Sequence, residues 1–265
     1  MARVILLVSL TMLRAVKITP KLVVRFAFLP FRKVRNPCLY CPGICIASCP
    51  TYLSSGNILL SPIGYARFHD IAREKCLKCW RCVQECPLGY NLPETYSKPV
   101  KISLRIVRPG RLILVADEEI DLQLAEHLSE SLGTGLAVVK GVAERYNNGS
   151  PIEYKTLKKA KRVLSGAELA VACSPEVSHA LGIDFLGIHL KDLGIKLNYE
   201  GPIHIPCLLK SQREKLLKSL EDAGVRPTFV DEEECIKLSI KENYLYLCPI
   251  AKKHGVRTIF DLISY

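Results

Sequence analysis

Two dense runs of cysteine constrain this chain more than any other feature of its sequence. The second run, residues 76–87, reads Cys-x2-Cys-x2-Cys-x3-Cys-Pro. The first run, residues 38–50, has spacings of two, three and three residues and is also closed by proline. Eight of the 12 cysteines therefore fall between residues 38 and 86. Such clustering is typical of metal ligation rather than of a disulfide framework, and it indicates a reducing compartment.

The spacing of the second run is that of ferredoxins in which three thiolates hold one 4Fe-4S cubane and the fourth reaches to a second cluster. The first run can supply the matching ligands, so the sequence predicts two 4Fe-4S clusters with crossed ligation. Cluster one would be held by Cys38, Cys41, Cys45 and Cys86, and cluster two by Cys76, Cys79, Cys82 and Cys49. Thiolates also suit zinc, but zinc ribbons use two well-separated Cys-x2-Cys pairs. We expect the cysteines at helix starts, where free N–H groups can face the anionic sulfurs.

The charge of the chain is concentrated at its amino-terminal end. The formal net charge is +11, and residues 1–69 contain nine Lys or Arg and no acid. This segment could meet anionic lipid, an acidic partner or nucleic acid. Alternatively, its cations could stabilise the anionic clusters from within the protein.

The first residues contain a short apolar run, 4–10, with Arg3 and Arg14 at its ends. A bilayer span needs about 20 apolar residues, so no transmembrane helix is predicted here. The alternatives are a signal peptide, a short buried or interfacial helix, and translation that really begins at Met12.

The chain changes its pattern after the cysteine runs. Residues 99–110 carry Pro99, Pro109 and Gly110 and show no sustained period, which predicts a linker. Beyond residue 111, short apolar strands alternate with helix-like windows, among them a helix at 154–164 and an amphipathic helix at 208–223. Cys173 is predicted to be a core residue at the end of one strand. The predicted fold class is α+β overall, in which a small α-helical two-cluster ferredoxin domain precedes a duplicated α/β domain. The predicted boundaries are an arm at 1–30, the ferredoxin domain at 31–98, the linker at 99–110 and the α/β domain at 111–265, with halves at about 111–190 and 200–265.

A family resemblance is carried by three segments: Cys-Leu-Tyr-Cys-Pro-Gly-Ile-Cys-Ile-Ala-Ser-Cys-Pro-Thr-Tyr at 38–52, Ser-Pro-Ile-Gly-Tyr at 61–65, and residues 75–89. Together they resemble the iron-sulfur subunit of glycolate oxidase. Its relatives are the iron-sulfur subunits of anaerobic glycerol-3-phosphate dehydrogenase, lactate utilisation and heterodisulfide reductase. The resemblance implies a non-catalytic electron-transfer subunit, with a cysteine-rich-type α/β domain after the ferredoxin domain. Electrons would pass from a flavoprotein dehydrogenase, acting on a 2-hydroxy acid or glycerol 3-phosphate, to quinone or another carrier. The implied location is cytoplasmic, with a peripheral contact at the inner face of the membrane as an option.

The carboxy-terminal half resembles the same family at 203–210, 234–235 and 248–251, but with lost ligands. Ile236 and Ala251 stand where the family has cysteine, and in the first half Asp117, residues 140–141 and residues 174–177 replace ligand positions. A catalytic cluster of the heterodisulfide type is therefore not expected. Cys207, Cys235 and Cys248 could still form a second metal or redox site, with His204 as a further ligand. The alternative is that they are buried, unreactive thiols.

Two other functions compete with electron transfer. A heterodisulfide-reductase-like thiol enzyme would require metal at the carboxy-terminal cysteines. A zinc-stabilised, basic nucleic-acid-binding protein would explain the charge, but no recognised module supports it, so no nucleic acid is expected. No phosphate-binding loop or dinucleotide fingerprint is present, which assigns flavin binding to another chain. Trp80 and Tyr40 are predicted to be core residues rather than electron relays.

Overall fold

The computed structural model describes residues 36–232 and 239–263. The predicted arm at 1–30, the first five residues of the predicted ferredoxin domain, the alternative start at Met12 and Cys235 lie outside the described residues. The chain has a mixed helix and sheet architecture, which agrees with the predicted α+β class. No helix in the described ranges is long and apolar enough to cross a membrane.

The cysteine-run region consists of short helices joined by tight turns. Pro50 and Pro62 each occupy the first turn of a helix, where the missing N–H costs nothing. Ser61 caps the second of these helices by accepting a hydrogen bond from the Gly64 N–H at 3.2 Å. Gly64 is required there, because a Cβ would lie 2.1 Å from the Leu59 carbonyl oxygen. The α-helices are α1 (Pro50–Ser55), α2 (Pro62–Arg67), α3 (His69–Ala72) and α4 (Arg81–Gln84), and the 3-10 turns are Pro37–Leu39, Ile44–Ile46, Ile58–Leu60 and Leu92–Glu94.

The segment predicted as a linker contains a strand, which corrects that prediction. β1 (Ser103–Arg108) pairs antiparallel with β3 (Gly135–Lys140), with Ser103 opposite Lys140. Most of its side chains are exposed because it lies at the edge of the sheet. Pro99 and Pro109 flank the strand, so they mark its two ends rather than a flexible connection.

The first sheet has the strand order β1-β3-β2-β4, where β2 is Leu112–Asp117 and β4 is Leu169–Ala172. Strands β2, β3 and β4 run parallel. β2 is the central strand, and residues 113–117 in it are all buried, as in parallel sheets covered on both faces. The further elements of this half are α5 (Leu122–Ser131), α6 (Val142–Asn148), α7 (Tyr154–Leu164), α8 (Pro175–Leu181) and the 3-10 turn Leu186–Ile188.

The second sheet is formed by the parallel strands β5 (Tyr199–His204), β6 (Val225–Asp231) and β7 (Leu245–Tyr246). Their order in the sheet is β6-β5-β7. In each sheet the first strand of the parallel set is central, the next strand in the chain lies on one side and the third on the other. The predicted amphipathic helix at 208–223 is divided into a 3-10 segment and an α-helix. The further elements are the 3-10 segment Cys207–Gln212, α9 (Arg213–Asp222), the 3-10 segment Pro249–His254 and α10 (Ile259–Ile263).

Residues 38–265 group into one compact unit, and its packing crosses the predicted domain boundaries. The largest core cluster joins the two sheets, with Leu114 of the first and Ile203 of the second among its members. A second core cluster contains Trp80, from inside the second cysteine run, together with Tyr146 and Leu208 of the α/β region. The cysteine-run region is thus anchored in the core of the rest of the chain.

Candidate metal centre

The eight clustered cysteines line two adjoining cavities. Cavity one is bordered by the four cysteines predicted for cluster one, Cys38, Cys41, Cys45 and Cys86. Cavity two is bordered by the four predicted for cluster two, Cys49, Cys76, Cys79 and Cys82. Cys82 also reaches the wall of cavity one, and Pro62 and Leu92 border both cavities. None of these eight cysteines forms a disulfide.

The local fold produces this sorting. The two runs do not each enclose a cavity: Cys86, at the end of the second run, closes cavity one, and Cys49, at the end of the first, closes cavity two. Cys49 is the residue immediately before α1, and its following proline starts that helix. Cys82 lies inside α4, directly between the cavities.

Burial is the largest cause that raises the pKa of five of these thiols, Cys38, Cys45, Cys49, Cys76 and Cys82. The pKa of Cys79 is instead lowered to about 7, chiefly by a hydrogen bond from Cys207. Burial, followed by the charges of Cys45 and Cys86, raises the pKa of Cys38 to about 11. Burial also raises the pKa of Cys76 to about 11, and holds that of Cys82 well above its ordinary value. Metal ligation requires thiolates, so a bound cation must offset the negative charge that the deprotonated cysteines bring into these cavities.

In each run a backbone N–H group points at a cysteine sulfur, which belongs to the second cysteine of the first run and to the first cysteine of the second run. The Gly43 N–H donates to Cys41 Sγ at 3.4 Å, and the Lys78 N–H donates to Cys76 Sγ at 3.5 Å. Each donor lies two residues after its cysteine. Gly43 has a φ of 86°, and Lys78 reaches a φ of 50° without being glycine. Such backbone conformations are costly for residues with a side chain and concentrate at functional sites.

Trp80 is buried as predicted and connects cavity two to the α/β region. It is 1% exposed, and its ring centroid lies 4.8 Å from that of Tyr146. The Arg145 guanidinium stands 5.2 Å from the centre of the Trp80 ring and forms an ion pair with Glu94 at 2.7 Å.

The prediction for Tyr40 was wrong, because its side chain is 81% exposed beside cavity one. Arg145 was not predicted: it lies about 60 residues from the runs, and only the folded chain brings it to Trp80.

The carboxy-terminal cysteines are divided by the structure. Cys207 and Cys248 border cavity three, which also includes Cys79 and His204. Cys207 Sγ lies 3.4 Å from the Cys79 carbonyl oxygen, so this thiol touches the backbone of a predicted cluster ligand. Cys235 lies outside the described residues, so the three-cysteine site remains a prediction. Cys173 is fully buried in the core, as predicted.

Further polar contacts join residues 81–85 to the segment Cys207–Gln212 and to Glu232, which follows β6. Gln84 Nε2 donates to the Cys207 carbonyl oxygen at 2.6 Å, and Lys210 forms an ion pair with Glu85. Arg81 Nη1 donates to the Glu232 carbonyl oxygen at 3.0 Å. These contacts were not predicted from the sequence, although the position of Arg81 and Gln84 inside the second run is a clue to such a role.

In the first half of the α/β region, two of the residues at which the resemblance would place ligands, Asp117 and Ser174, have structural hydrogen bonds. Asp117, at the end of β2, accepts a hydrogen bond from the Val142 N–H at 3.1 Å, at the start of α6. Ser174 caps α8 by accepting from the Val177 N–H at 3.4 Å. Both side chains therefore serve helix starts.

Among the residues that the structure describes, no three Cys, His, Asp or Glu side chains lie close enough together to hold a single metal ion. A cubane spreads its ligands more widely, because irons and sulfides stand between the thiolates. The donor set of each cavity, four cysteines in a mostly apolar lining, fits such a cluster in number and chemistry. Comparison with protein-family models, curated proteins and solved structures gives no match to this chain.

Proposed function

We propose that this chain is an electron-transfer subunit that holds two 4Fe-4S clusters. The observation that carries the proposal is the sorting of eight cysteines into two adjoining cavities, each bordered by one crossed set of four. When bound, the clusters would supply reversible one-electron transfer at iron. The shared wall at Cys82 would keep the two clusters next to each other.

The residues of the chain would hold and insulate these clusters. Four thiolates from two runs would fix each cluster, and the N–H groups of Gly43 and Lys78 would offset part of their negative charge. Trp80 and Tyr65, both buried, would exclude water from cavity two. Ile44, which borders cavity one, is 60% exposed, and this apolar surface favours cavity one as the side that meets a redox partner.

The resemblance of the cysteine segments suggests the partners. We propose that a flavin-bearing dehydrogenase, acting on a 2-hydroxy acid or glycerol 3-phosphate, donates electrons, and that quinone or another carrier accepts them. The α/β region would then act as a docking module. A cytoplasmic location, with peripheral contact at the membrane, belongs to the same proposal.

Anaerobic purification with iron, sulfide and zinc analysis tests the central claim. We expect about eight irons per chain and, after reduction, an EPR spectrum of two interacting clusters. Stoichiometric zinc without iron would overturn the proposal in favour of a zinc-stabilised protein.

A second measurement separates the carrier from a thiol enzyme. The Cys207→Ala/Cys248→Ala double variant should retain about eight irons, because neither residue belongs to the two crossed sets. Loss of iron from this variant would favour the heterodisulfide-reductase-like alternative, in which the carboxy-terminal cysteines hold metal. The matched control is Cys173→Ala, which removes a thiol from the apolar core.

A further inference from the structure

A fourth cavity lies between the second cysteine run and the second sheet. Its volume is about 530 Å³, whereas cavity three measures about 70 Å³. The described residues that line cavity four come from α4, from the segment after β5, from the end of β6 and from position 241. Pockets of roughly 300–1,000 Å³ are the usual size of small-molecule sites. Cavity four therefore has room for a small organic molecule.

The sheet topology places cavity four where a ligand is expected. His204, at the end of β5, lies opposite Asp231, at the end of β6, and the cavity is lined by residues just beyond them, such as Pro206 and Glu232. The central strand β5 has β6 on one side and β7 on the other. Open parallel sheets bind ligands beyond the carboxyl ends of their strands, where the strand order reverses direction. Cavity four lies beside this crevice.

The lining of cavity four has an excess of positive charge. Two acidic residues, Asp231 and Glu232, are accompanied by four basic residues from different parts of the chain, Arg81, Lys210, Arg213 and Lys241. The formal net charge of the described lining is therefore +2. Residues 70–265 as a whole are nearly balanced, with 28 basic and 26 acidic side chains. The cations thus converge through the fold rather than through composition, and such a lining attracts anions.

Lys210 and Arg213 provide two neighbouring cationic groups. They are three positions apart, because the 3-10 segment Cys207–Gln212 continues directly into α9, and this spacing brings side chains together on a helix. Glu85 forms an ion pair with Lys210, and Glu232 forms one with Arg213. An ammonium group has three N–H donors and a guanidinium has five, so both side chains can bind an anion and keep these ion pairs.

The remaining wall of cavity four is apolar. Ile205, Phe229 and Val230 line it. Phe229 is 57% exposed, with its ring centroid 6.4 Å from that of Tyr244. Apolar walls combined with a few charged groups are typical of sites for organic molecules, whose polar group fixes the orientation.

We propose that cavity four binds a small organic anion, whose carboxylate or phosphate group is held by Lys210 and Arg213 and whose apolar body packs on Phe229. This inference goes beyond electron transfer, because the two cations and the ring belong to the α/β region. The bound molecule would also lie beside Arg81, in the helix that carries Cys82. The site is therefore next to a predicted ligand of cluster two.

Isothermal titration calorimetry on the full chain, purified anaerobically, tests the proposal. Phenyl phosphate and benzoate are the probes and distinguish the two anionic groups, and benzamide is the neutral control. We expect at least one anionic probe to bind and benzamide not to bind. In the Lys210→Gln/Arg213→Gln variant, the Kd of that probe should rise about tenfold or more, since hydrogen bonds to charged groups are lost.

Two variants sharpen the measurement. Lys215→Gln/Lys218→Gln removes the same charge from exposed positions of α9 outside the cavity lining, and its Kd should stay unchanged. Phe229→Ala should weaken phenyl phosphate or benzoate binding. An equal loss of affinity in the Lys215→Gln/Lys218→Gln variant overturns the proposal, and so does inorganic phosphate that binds as tightly as phenyl phosphate.

A further readout needs no variant. In hydrogen–deuterium exchange of the unaltered protein, the bound probe should protect backbone amides at 205–213 and 229–232. Protection confined to other segments overturns the proposal, as does the failure of both anionic probes to bind or an equal affinity for benzamide. Iron analysis tests the proposed function separately, so a protein without iron that still binds the probe would refute only the electron-transfer role.

Discussion

Cavity one and cavity two share a wall at Cys82 but have different surroundings. Beside cavity one, Tyr40, Ile44 and Leu88 are 81%, 60% and 72% exposed. Beside cavity two, Trp80 is almost fully buried, and Cys207 reaches the Cys79 backbone from the α/β region. Two similar cysteine sets therefore sit in different environments, because the rest of the chain packs on one of them. On the proposed function, cluster one would be the more accessible end of a short electron path and cluster two the more protected end.

The largest expected effects come from single ligand substitutions that test the crossed sets. Cys41→Ser and Cys86→Ser should both remove cluster one, although they lie in different runs, and each should lower the iron content from about eight to about four. Cys49→Ser and Cys76→Ser should both remove cluster two. EPR of the remaining cluster distinguishes the two pairs.

If Cys86→Ser instead behaved like Cys76→Ser, each run would hold its own cluster. The two cavities would then not correspond to two clusters with crossed ligands. Cys173→Ser is the control for a substitution at a cysteine of the core, and its iron content should stay at about eight.

Trp80→Ala tests the packing that protects cavity two. Truncating a buried aromatic side chain costs about 3–5 kcal/mol of unfolding free energy, and here it also leaves Arg145 without one of its two ring contacts. Tyr40→Ala, an aromatic truncation on the exposed side, should cost less than about 0.5 kcal/mol. Denaturant unfolding of both variants measures the difference, and equal losses would contradict the contrast in packing.

Acidification should lower the free energy of unfolding through His179, which lies in the packing beside cavity two. His179 Nδ1 lies 2.6 Å from the Tyr146 hydroxyl, and burial, with Arg145 nearby, lowers the pKa of His179 from 6.5 to about 4. A depressed pKa in the folded state contributes stability that is present above about pH 6.5 and is lost as the pH falls towards 4. The expected loss of unfolding free energy is on the order of 3 kcal/mol, since each unit of pKa corresponds to about 1.4 kcal/mol.

His179→Gln should flatten this part of the pH profile, because glutamine can accept from Tyr146 but does not titrate in this range. His127→Gln, on the exposed face of α5, is the matched control and should keep the slope. A slope that persists in His179→Gln would assign the acid sensitivity to other groups. Thermal unfolding between pH 4 and 8 provides the measurement.

The smallest expected effect is a difference in the rate of cluster loss. Under limited oxidant or chelator, cluster one should be lost a few-fold faster than cluster two, because its surroundings are more exposed. Leu208→Ala should loosen the packing beside cavity two and bring the two rates together. Faster loss of cluster two in the unaltered protein would contradict the proposal that cluster two is the more protected cluster.

The sequence predicted local features better than the contacts between distant segments. The helix at Tyr154–Leu164 agrees with its predicted bounds, because its apolar spacing is strong and local. The strand Ser103–Arg108 was missed, because an edge strand lacks the continuous apolar pattern of the buried strands and two prolines surround it. The side chain of Tyr40 was placed in the core by its neighbours in the motif, although a position in a motif does not determine burial.

The spacing of the two runs by itself determined the candidate ligands, since short loops fix which thiols can meet around one centre. What only the tertiary structure decided is the environment of each cavity. Arg145 and Cys207 reach the second run from segments that no local pattern connects to it. Burial and hydrogen bonding depend on the packing of the whole chain, and for that reason the difference between two nearly equivalent cysteine sets appears only in the folded protein.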